Sequence, residues 1–306
     1  MQETIYDLLI VGAGPAGLAA SIYSGREDIK TLLIDKDVVG GLAAITDNID
    51  NYPGFEDGIS GYELSQKLEK QSRRFGAEIQ TGVEAKSVKK DGKIVVVSTN
   101  KGEFRSKALL ISTGTTYKHL DIPGEAEQIG RGVHFCATCD GPLYKNKTIV
   151  VIGGGNSAVQ ETLFLARFAS KITILVRGDK LKASAVLIDQ LGELANVEVI
   201  LNSPATRIIN KKNRVSGVES NTKVYPCDGV FVFVGLLANT EAFIDTTEHD
   251  ENNYLITDKT FKTNVPGVFV AGDVRSGSTW QIASAIGEGV DAALCISEYL
   301  TGLKRT

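Results

Sequence analysis

The residues most able to do chemistry stand together in His134-Phe135-Cys136-Ala137-Thr138-Cys139-Asp140-Gly141, a C-x-x-C followed at once by an acid and a glycine. Two thiols three positions apart at a helix start can close into a small ring, and the positive end of the helix dipole favours the thiolate over the thiol. A reversible redox disulfide is the chemistry this spacing suggests. A zinc half-site would need a second pair of cysteines or histidines at metal-ligand spacing. Cys227 and Cys295 are isolated, and His119, His134 and His249 are scattered, so no metal site is expected.

Such a pair needs elements to position it, and the chain is long enough to supply two domains: 306 residues can bury two ordinary cores. Glycine, at 32 residues, exceeds its usual share, which directs attention to glycine turns beside bound phosphates. A net charge of -4 carries no electrostatic footprint for nucleic acid. No apolar run reaches the length of a membrane span. The start Met1-Gln2-Glu3-Thr4 is acidic and runs directly into a strand, without the basic and apolar regions of a leader. A reducing cytoplasm is therefore the expected location, where a C-x-x-C is more often catalytic than structural.

Tyr6-Asp7-Leu8-Leu9-Ile10-Val11 reads as a buried parallel strand. It runs into Gly12-Ala13-Gly14-Pro15-Ala16-Gly17 and then into residues of helical composition, the strand-to-helix context that gives G-x-G-x-x-G its meaning. Gly12 permits the tight turn, Gly14 lets the backbone approach a pyrophosphate and Gly17 allows helix to pack on strand. A second strand delivers Asp35, 18 positions after Gly17, as the acid for an adenosine ribose. Further on, a buried strand Ala108–Ser112 closes on Thr113-Gly114.

At Thr148 the pattern starts again. A strand runs into Gly153-Gly154-Gly155-Asn156-Ser157-Ala158, a second G-x-G-x-x-A, and a helix is expected from about Val159 to Arg167. An internal duplication is the simplest account. Where this second unit would read an adenosine ribose stands Arg177-Gly178-Asp179-Lys180-Leu181-Lys182. One arginine and a lysine five positions on make a thin site for a 2′-phosphate, and Asp179 offers the alternative of a ribose diol. Toward the end, a buried strand closes on Gly272-Asp273, an acid placed to bond a flavin's ribityl hydroxyl, and a helix is expected over Gln281–Tyr299. The expected fold is α/β: two Rossmann-like, three-layer ββα dinucleotide-binding domains, the second inserted into the first. Residues 1–113 and 245–306 are expected to form one discontinuous dinucleotide-binding domain, and 114–244 a second nucleotide-binding-like domain carrying the C-x-x-C.

With these marks assembled, together with Asn51 before Pro53-Gly54, the chain resembles the low-molecular-weight thioredoxin reductases over essentially its full length. These are FAD-dependent class II pyridine nucleotide-disulfide oxidoreductases. The resemblance implies a homodimeric, cytoplasmic FAD enzyme that reduces the disulfide of thioredoxin, with neither nucleic acid nor membrane as partner. It places Cys139 beside the flavin, makes Cys136 the interchange thiol and Asp140 the acid/base, although an aspartate there also suits a helix cap. It assigns FAD binding to Gly12, Gly14, Pro15, Ala16, Gly17, Asp35, Gly41, Leu42, Asn51, Gly114, Gly272, Asp273, Gln281 and Ile282.

The departures bear on the electron donor. NADPH-dependent members resemble H-R-R-x-x-x-R where this chain has Val176-Arg177-Gly178-Asp179-Lys180-Leu181-Lys182. The arginine usual before the flavin-contacting glutamine is Trp280, the sole tryptophan and otherwise a packing residue, and the G-G-Q loop is Gly40-Gly41-Leu42. The chain is similar in this to the pyridine-nucleotide-independent, ferredoxin-linked branch. Reduced ferredoxin is then the expected donor, and Gly153, Gly155, Asn156, Ser157, Ala158, Arg177 and Lys182 a vestigial NADPH site. The alternative is an ordinary NADPH-dependent enzyme with a divergent 2′-phosphate site. A non-catalytic flavin sensor would not need the dithiol, nor would a ferredoxin–NADP reductase.

Overall fold

The computed structural model describes residues 4–46, 49 and 51–305; the acidic start Met1–Glu3 lies outside them. The chain forms two compact units, one from residues up to Thr116 and from Leu237 onward, the other Tyr117–Leu236. The second crossing comes at Leu237, ahead of residue 245, because the intervening Phe243 is buried among Leu9, Val11, Leu109 and Val268 of the first unit.

The first unit is built on a seven-stranded sheet. Its parallel part runs Glu78–Thr81, Thr31–Asp35, Ile5–Val11 and Gly102–Ile111, and Val268–Val270 pairs with the free side of that last strand. Ile5–Val11 is apolar on both faces because both are covered. Leu8 and Ile10 point to the helices Pro15–Arg26 and Ile282–Arg305, while Leu9 and Val11 meet Val88, Val95 and Val97 of an antiparallel meander. Gly102–Ile111 is long enough to join both layers: its first half pairs with Ile94–Thr99 and its second with Ile5–Val11.

The second unit repeats the plan. A five-stranded parallel sheet has the order Val197–Ile200, Lys171–Leu175, Thr148–Ile152, Gly229–Val232, Val133–His134. Helices cover one face over Ile149, Val151 and Ile174, and a three-stranded antiparallel sheet covers the other over Val150, Ile152 and Leu175. The expected two ββα domains are thus observed. Element ends shift: the helix after the second glycine turn is Asn156–Leu165 rather than Val159–Arg167, since polar Asn156 and Ser157 fill the open first turn. The last helix starts at Ile282, not Gln281. No helix among the described residues is long and apolar enough to cross a membrane.

Candidate functional sites

In the first unit the three fingerprint glycines are separated by what surrounds them. Gly12 has φ 109°, and a Cβ there would meet the Ser112 carbonyl oxygen at 2.3 Å. A Cβ on Gly17 would meet the Gly12 carbonyl oxygen at 2.0 Å, so helix and turn pack backbone to backbone. Gly14 has nothing within 4 Å and leaves the cradle open. It caps a helix that has no side-chain cap and no acid in its first turn, with Pro15 at the start, an arrangement whose first-turn N–H groups can bind an anion. Asp35 holds the turn in shape by accepting from Ala13 N–H at 2.6 Å and from Asp37 N–H at 2.8 Å, while burial pushes its carboxyl up.

Other predicted residues converge on this turn. Gly41, at φ 57°, lies against Gly14, with its added Cβ 3.5 Å from the Gly14 Cα, and Leu42 follows in the short helix Gly41–Ala44. Gly272, at φ 78°, abuts Ala16. Asn51 donates to the Gln281 side-chain oxygen at 3.1 Å, and Ile282 packs with Ile49, Ile59 and Leu64. The Gly114 carbonyl accepts from Asn239 N–H at 3.1 Å. Trp280 is 46 % exposed, held at φ 52° in the left-handed region, with its ring tilted against Tyr254 at 5.8 Å. It is not core.

Glu288, on the last helix, was not legible as a site residue. It accepts from Gly272 N–H at 2.8 Å and pairs with the Arg275 guanidinium, fixing the Gly272-Asp273 corner. Beside it Asp273 is half-buried; its buried Oδ1 has the buried Ser278 hydroxyl as neighbour, and neither atom makes a well-formed hydrogen bond among the described residues. A buried polar atom with so poor a hydrogen bond is under-satisfied, so this pair can take a further polar partner.

In the second unit Cys136 and Cys139 are joined as a disulfide with Cα atoms 5.4 Å apart. The expected helix start is only one turn, Ala137–Asp140, followed by a 3-10 turn Gly141–Tyr144, because Pro142 has no N–H to continue the ladder. The turn therefore offers the sulfur particular donors rather than a long helix dipole. Cys136 Sγ accepts from Cys139 N–H at 3.2 Å and has the Thr138 hydroxyl at 3.4 Å. Asp140 contacts His134, Oδ2 to Nδ1, at 3.2 Å.

The second glycine turn repeats the first. Gly153, at φ 147°, would drive a Cβ to 2.3 Å of the Phe233 carbonyl oxygen, whereas Gly155 is open and caps Asn156–Leu165 without a side chain. Gly153, Gly155, Asn156, Ser157 and Ala158 line a cavity of about 560 Å³ together with Arg177 and Lys182. Lys118, His119 and Lys180, which sequence did not single out, also line it, whereas Asp179, Cys136, Cys139 and Asp140 do not.

The sequence pattern of the pyridine nucleotide-disulphide oxidoreductase family matches residues 6–289. The chain is 40% identical to a thioredoxin reductase of Listeria monocytogenes over 100% of its own length and 97% of that protein. It is 39% identical to one of Bacillus subtilis, covering 100% of this chain and 98% of the other. The chain belongs to the thioredoxin reductase family. Among solved structures, the thioredoxin reductase from Streptococcus pyogenes superposes with a TM-score of 0.93 at 34% identity, over 98% of this chain and 100% of that one. A thioredoxin reductase is a flavin-dependent disulfide oxidoreductase, and the first unit fits that flavin cofactor: an open Gly14 cradle at a helix start, and an under-satisfied carboxylate and hydroxyl in Asp273 and Ser278.

Asp273 also makes a prediction for the FAD-free protein. Burial, with the Glu288 carboxylate nearby, pushes the Asp273 carboxyl up to about 6. Ionising it costs more in the fold than in the unfolded chain, so this stability is full below about pH 4 and lost as pH rises through about 6. Urea denaturation of FAD-free protein should show Asp273→Asn and the parent alike near the bottom of that window. At neutral pH the variant should be more stable by about 2 kcal/mol. An equal difference at both pH values would refute the assignment.

Proposed function

We propose that this protein is an FAD-dependent thioredoxin reductase in which the Cys136–Cys139 pair passes reducing equivalents to the disulfide of thioredoxin. The observation that carries the reading is the pair itself, closed as a disulfide in C-A-T-C-D-G with two hydrogen-bond donors on one sulfur. FAD is held by Gly12, Gly14, Pro15, Ala16, Gly17 and Asp35 at its phosphate and adenosine side. Gly41, Leu42, Asn51, Gly114, Gly272, Asp273, Gln281 and Ile282 complete the site. When bound it supplies the relay between an electron donor and the disulfide.

Two electrons and two protons convert the disulfide to a dithiol. Cys136, whose thiolate is favoured by Cys139 N–H and the Thr138 hydroxyl, attacks a thioredoxin sulfur and forms a mixed disulfide. Cys139 then attacks Cys136 Sγ, re-forming the internal disulfide and releasing reduced thioredoxin. Asp140 moves the proton between attacking thiol and departing sulfur. The enzyme acts as a homodimer.

The donor in this reading is reduced ferredoxin. Support comes from the ribose-reading end of the second cleft, where Gly178 stands in place of one of the paired arginines and Lys182 replaces the distal one, and from Trp280 in place of the arginine before Gln281. A lysine cannot reproduce the bidentate grip of a guanidinium on a phosphate. The retained 560 Å³ cleft, with Arg177, Lys180 and Lys182 at its rim, favours the second reading, an NADPH enzyme with a divergent phosphate site. Anaerobic enzyme mixed with NADPH or with reduced ferredoxin, each with thioredoxin present, separates them. Slow flavin bleaching by NADPH and rapid thioredoxin reduction with ferredoxin are expected; rapid bleaching at micromolar NADPH would overturn the ferredoxin assignment.

A further inference from the structure

His134 lies in the short edge strand Val133–His134, directly opposite Phe231 in the parallel register, and is only 8 % exposed. Its ring packs against Phe231 at 5.2 Å and Tyr144 at 5.3 Å. Both ring nitrogens are engaged: Nδ1 with Asp140 Oδ2 at 3.2 Å, and Nε2 with the Tyr144 hydroxyl at 2.7 Å. The imidazole thus bridges the acid that follows the C-x-x-C and a buried tyrosine.

The proton positions follow from counting donors. An ionised Asp140 only accepts, so Nδ1 carries a proton toward it. The Tyr144 hydroxyl has no other hydrogen-bond partner among the described residues, and burial pushes its pKa up, with the Asp140 charge adding to the shift. It is therefore a donor, and Nε2 accepts. Were the imidazole doubly protonated, the tyrosine oxygen would have to accept and its own proton would be left buried without an acceptor. The neutral Nδ1–H tautomer satisfies every group.

The charges around this bridge are few. Cys227 and Asp228 flank Tyr144, and the Cys227 thiol, pushed up to about 12 by burial, stays protonated. Glu161, on the helix Asn156–Leu165, accepts from Ala137 N–H at the start of the cysteine turn. From the strand Gly229–Val232 the ring meets only apolar Phe231. Lys147 Nζ lies over the Tyr144 ring, 5.2 Å from its centroid, and the partner that the bridge gives the Asp140 carboxylate is His134.

We propose that His134, fixed from behind by Tyr144, is a positioning residue that holds the Asp140 carboxylate oriented for proton transfer in disulfide exchange. This rests on Cys136–Cys139 being the exchange pair and Asp140 its acid/base. In the exchange, a thiol of the pair gives its proton to Asp140 as its sulfur attacks a disulfide. One S–S bond forms, another breaks, and Asp140 returns the proton to the departing sulfur. No net proton or electron is gained by Asp140 or His134.

The test uses FAD-bound enzyme reduced anaerobically with dithionite and mixed with hydroxyethyl disulfide, whose departing thiol needs a proton, over about pH 5 to 9. In the parent, the acid limb of the rate profile reports the proton-accepting carboxylate. His134→Ala should move that limb up by about one pH unit, lowering the rate up to about tenfold at pH values below the parent's limb midpoint. His134→Asn, whose amide N–H can stand where Nδ1–H does, should restore the limb, and Tyr144→Phe should move it the same way by less. A His134→Ala limb that coincides with the parent's, whatever its amplitude, overturns the proposal. If the alanine variant does not fold, the Tyr144→Phe limb decides: shifted supports the bridge, unshifted overturns it. Thioredoxin is absent from this assay, so parent enzyme that reduces hydroxyethyl disulfide but not thioredoxin would sink the substrate reading and leave the comparison intact.

Discussion

Cys136→Ser should lower thioredoxin reduction by about a thousandfold or more, and Cys139→Ser should do the same by a different route. The attacking sulfur is the one whose thiolate is favoured, and in the structure the donors converge on Cys136: Cys139 N–H at 3.2 Å and the Thr138 hydroxyl at 3.4 Å. The backbone donor is untouched by the Cys139→Ser change. In the proposed exchange that variant keeps its nucleophile and loses only the thiol that resolves the mixed disulfide. It should accumulate a covalent adduct with thioredoxin, visible on a non-reducing gel and dissolved by dithiothreitol, whereas Cys136→Ser should trap none. Adduct from Cys136→Ser but not from Cys139→Ser would exchange the two roles. Equal turnover by both variants and the parent would remove the pair from the reaction.

The second large effect separates the fold from the cofactor on two neighbouring glycines. Gly17→Val should destabilise the first unit by about 4 kcal/mol or more, enough to deplete soluble protein, because an added Cβ meets the Gly12 carbonyl oxygen at 2.0 Å and neither backbone can yield. Gly14→Ala should leave the FAD-free protein within about 0.5 kcal/mol of the parent. Its φ of -74° suits alanine, and nothing lies within 4 Å of the new methyl. That same open space is where a pyrophosphate would approach, so FAD affinity should fall about tenfold to a hundredfold. Thermal unfolding of FAD-free protein and FAD titration of each variant measure the two effects independently. Unchanged FAD binding in Gly14→Ala would mean that the phosphates do not sit over this turn.

Much of this was legible from local sequence because the signals are short-range. A glycine turn between an apolar strand and a helix is a backbone requirement written in consecutive residues, and Gly12, Gly17 and Gly153 stand where only glycine fits. The duplication showed for the same reason, and the two ββα units follow from strands apolar on both faces. The disulfide spacing is local as well: a three-residue separation brings Cα atoms to 5.4 Å with almost no help from the rest of the chain.

What the tertiary structure decided are the partners that come from far along the chain or from the opposite side of a sheet. Glu288 reaches Gly272 and Arg275 only because the last helix packs against the first, with Gly289 against the Ala16 carbonyl oxygen. Asn51 and Gln281, 230 positions apart, meet where Ile282 packs on Ile49, Ile59 and Leu64. Lys118 and His119 line the second cleft without any periodic or motif signal. His134 looked like one of three scattered histidines until the edge strand set it between Asp140 and Tyr144, six positions before one and ten before the other. The chain by itself determined which groups can carry electrons and cradle phosphates, since those needs are met within a few residues. The fold alone decided which protons and charges surround them, since burial and hydrogen-bond partners exist only once distant segments pack together.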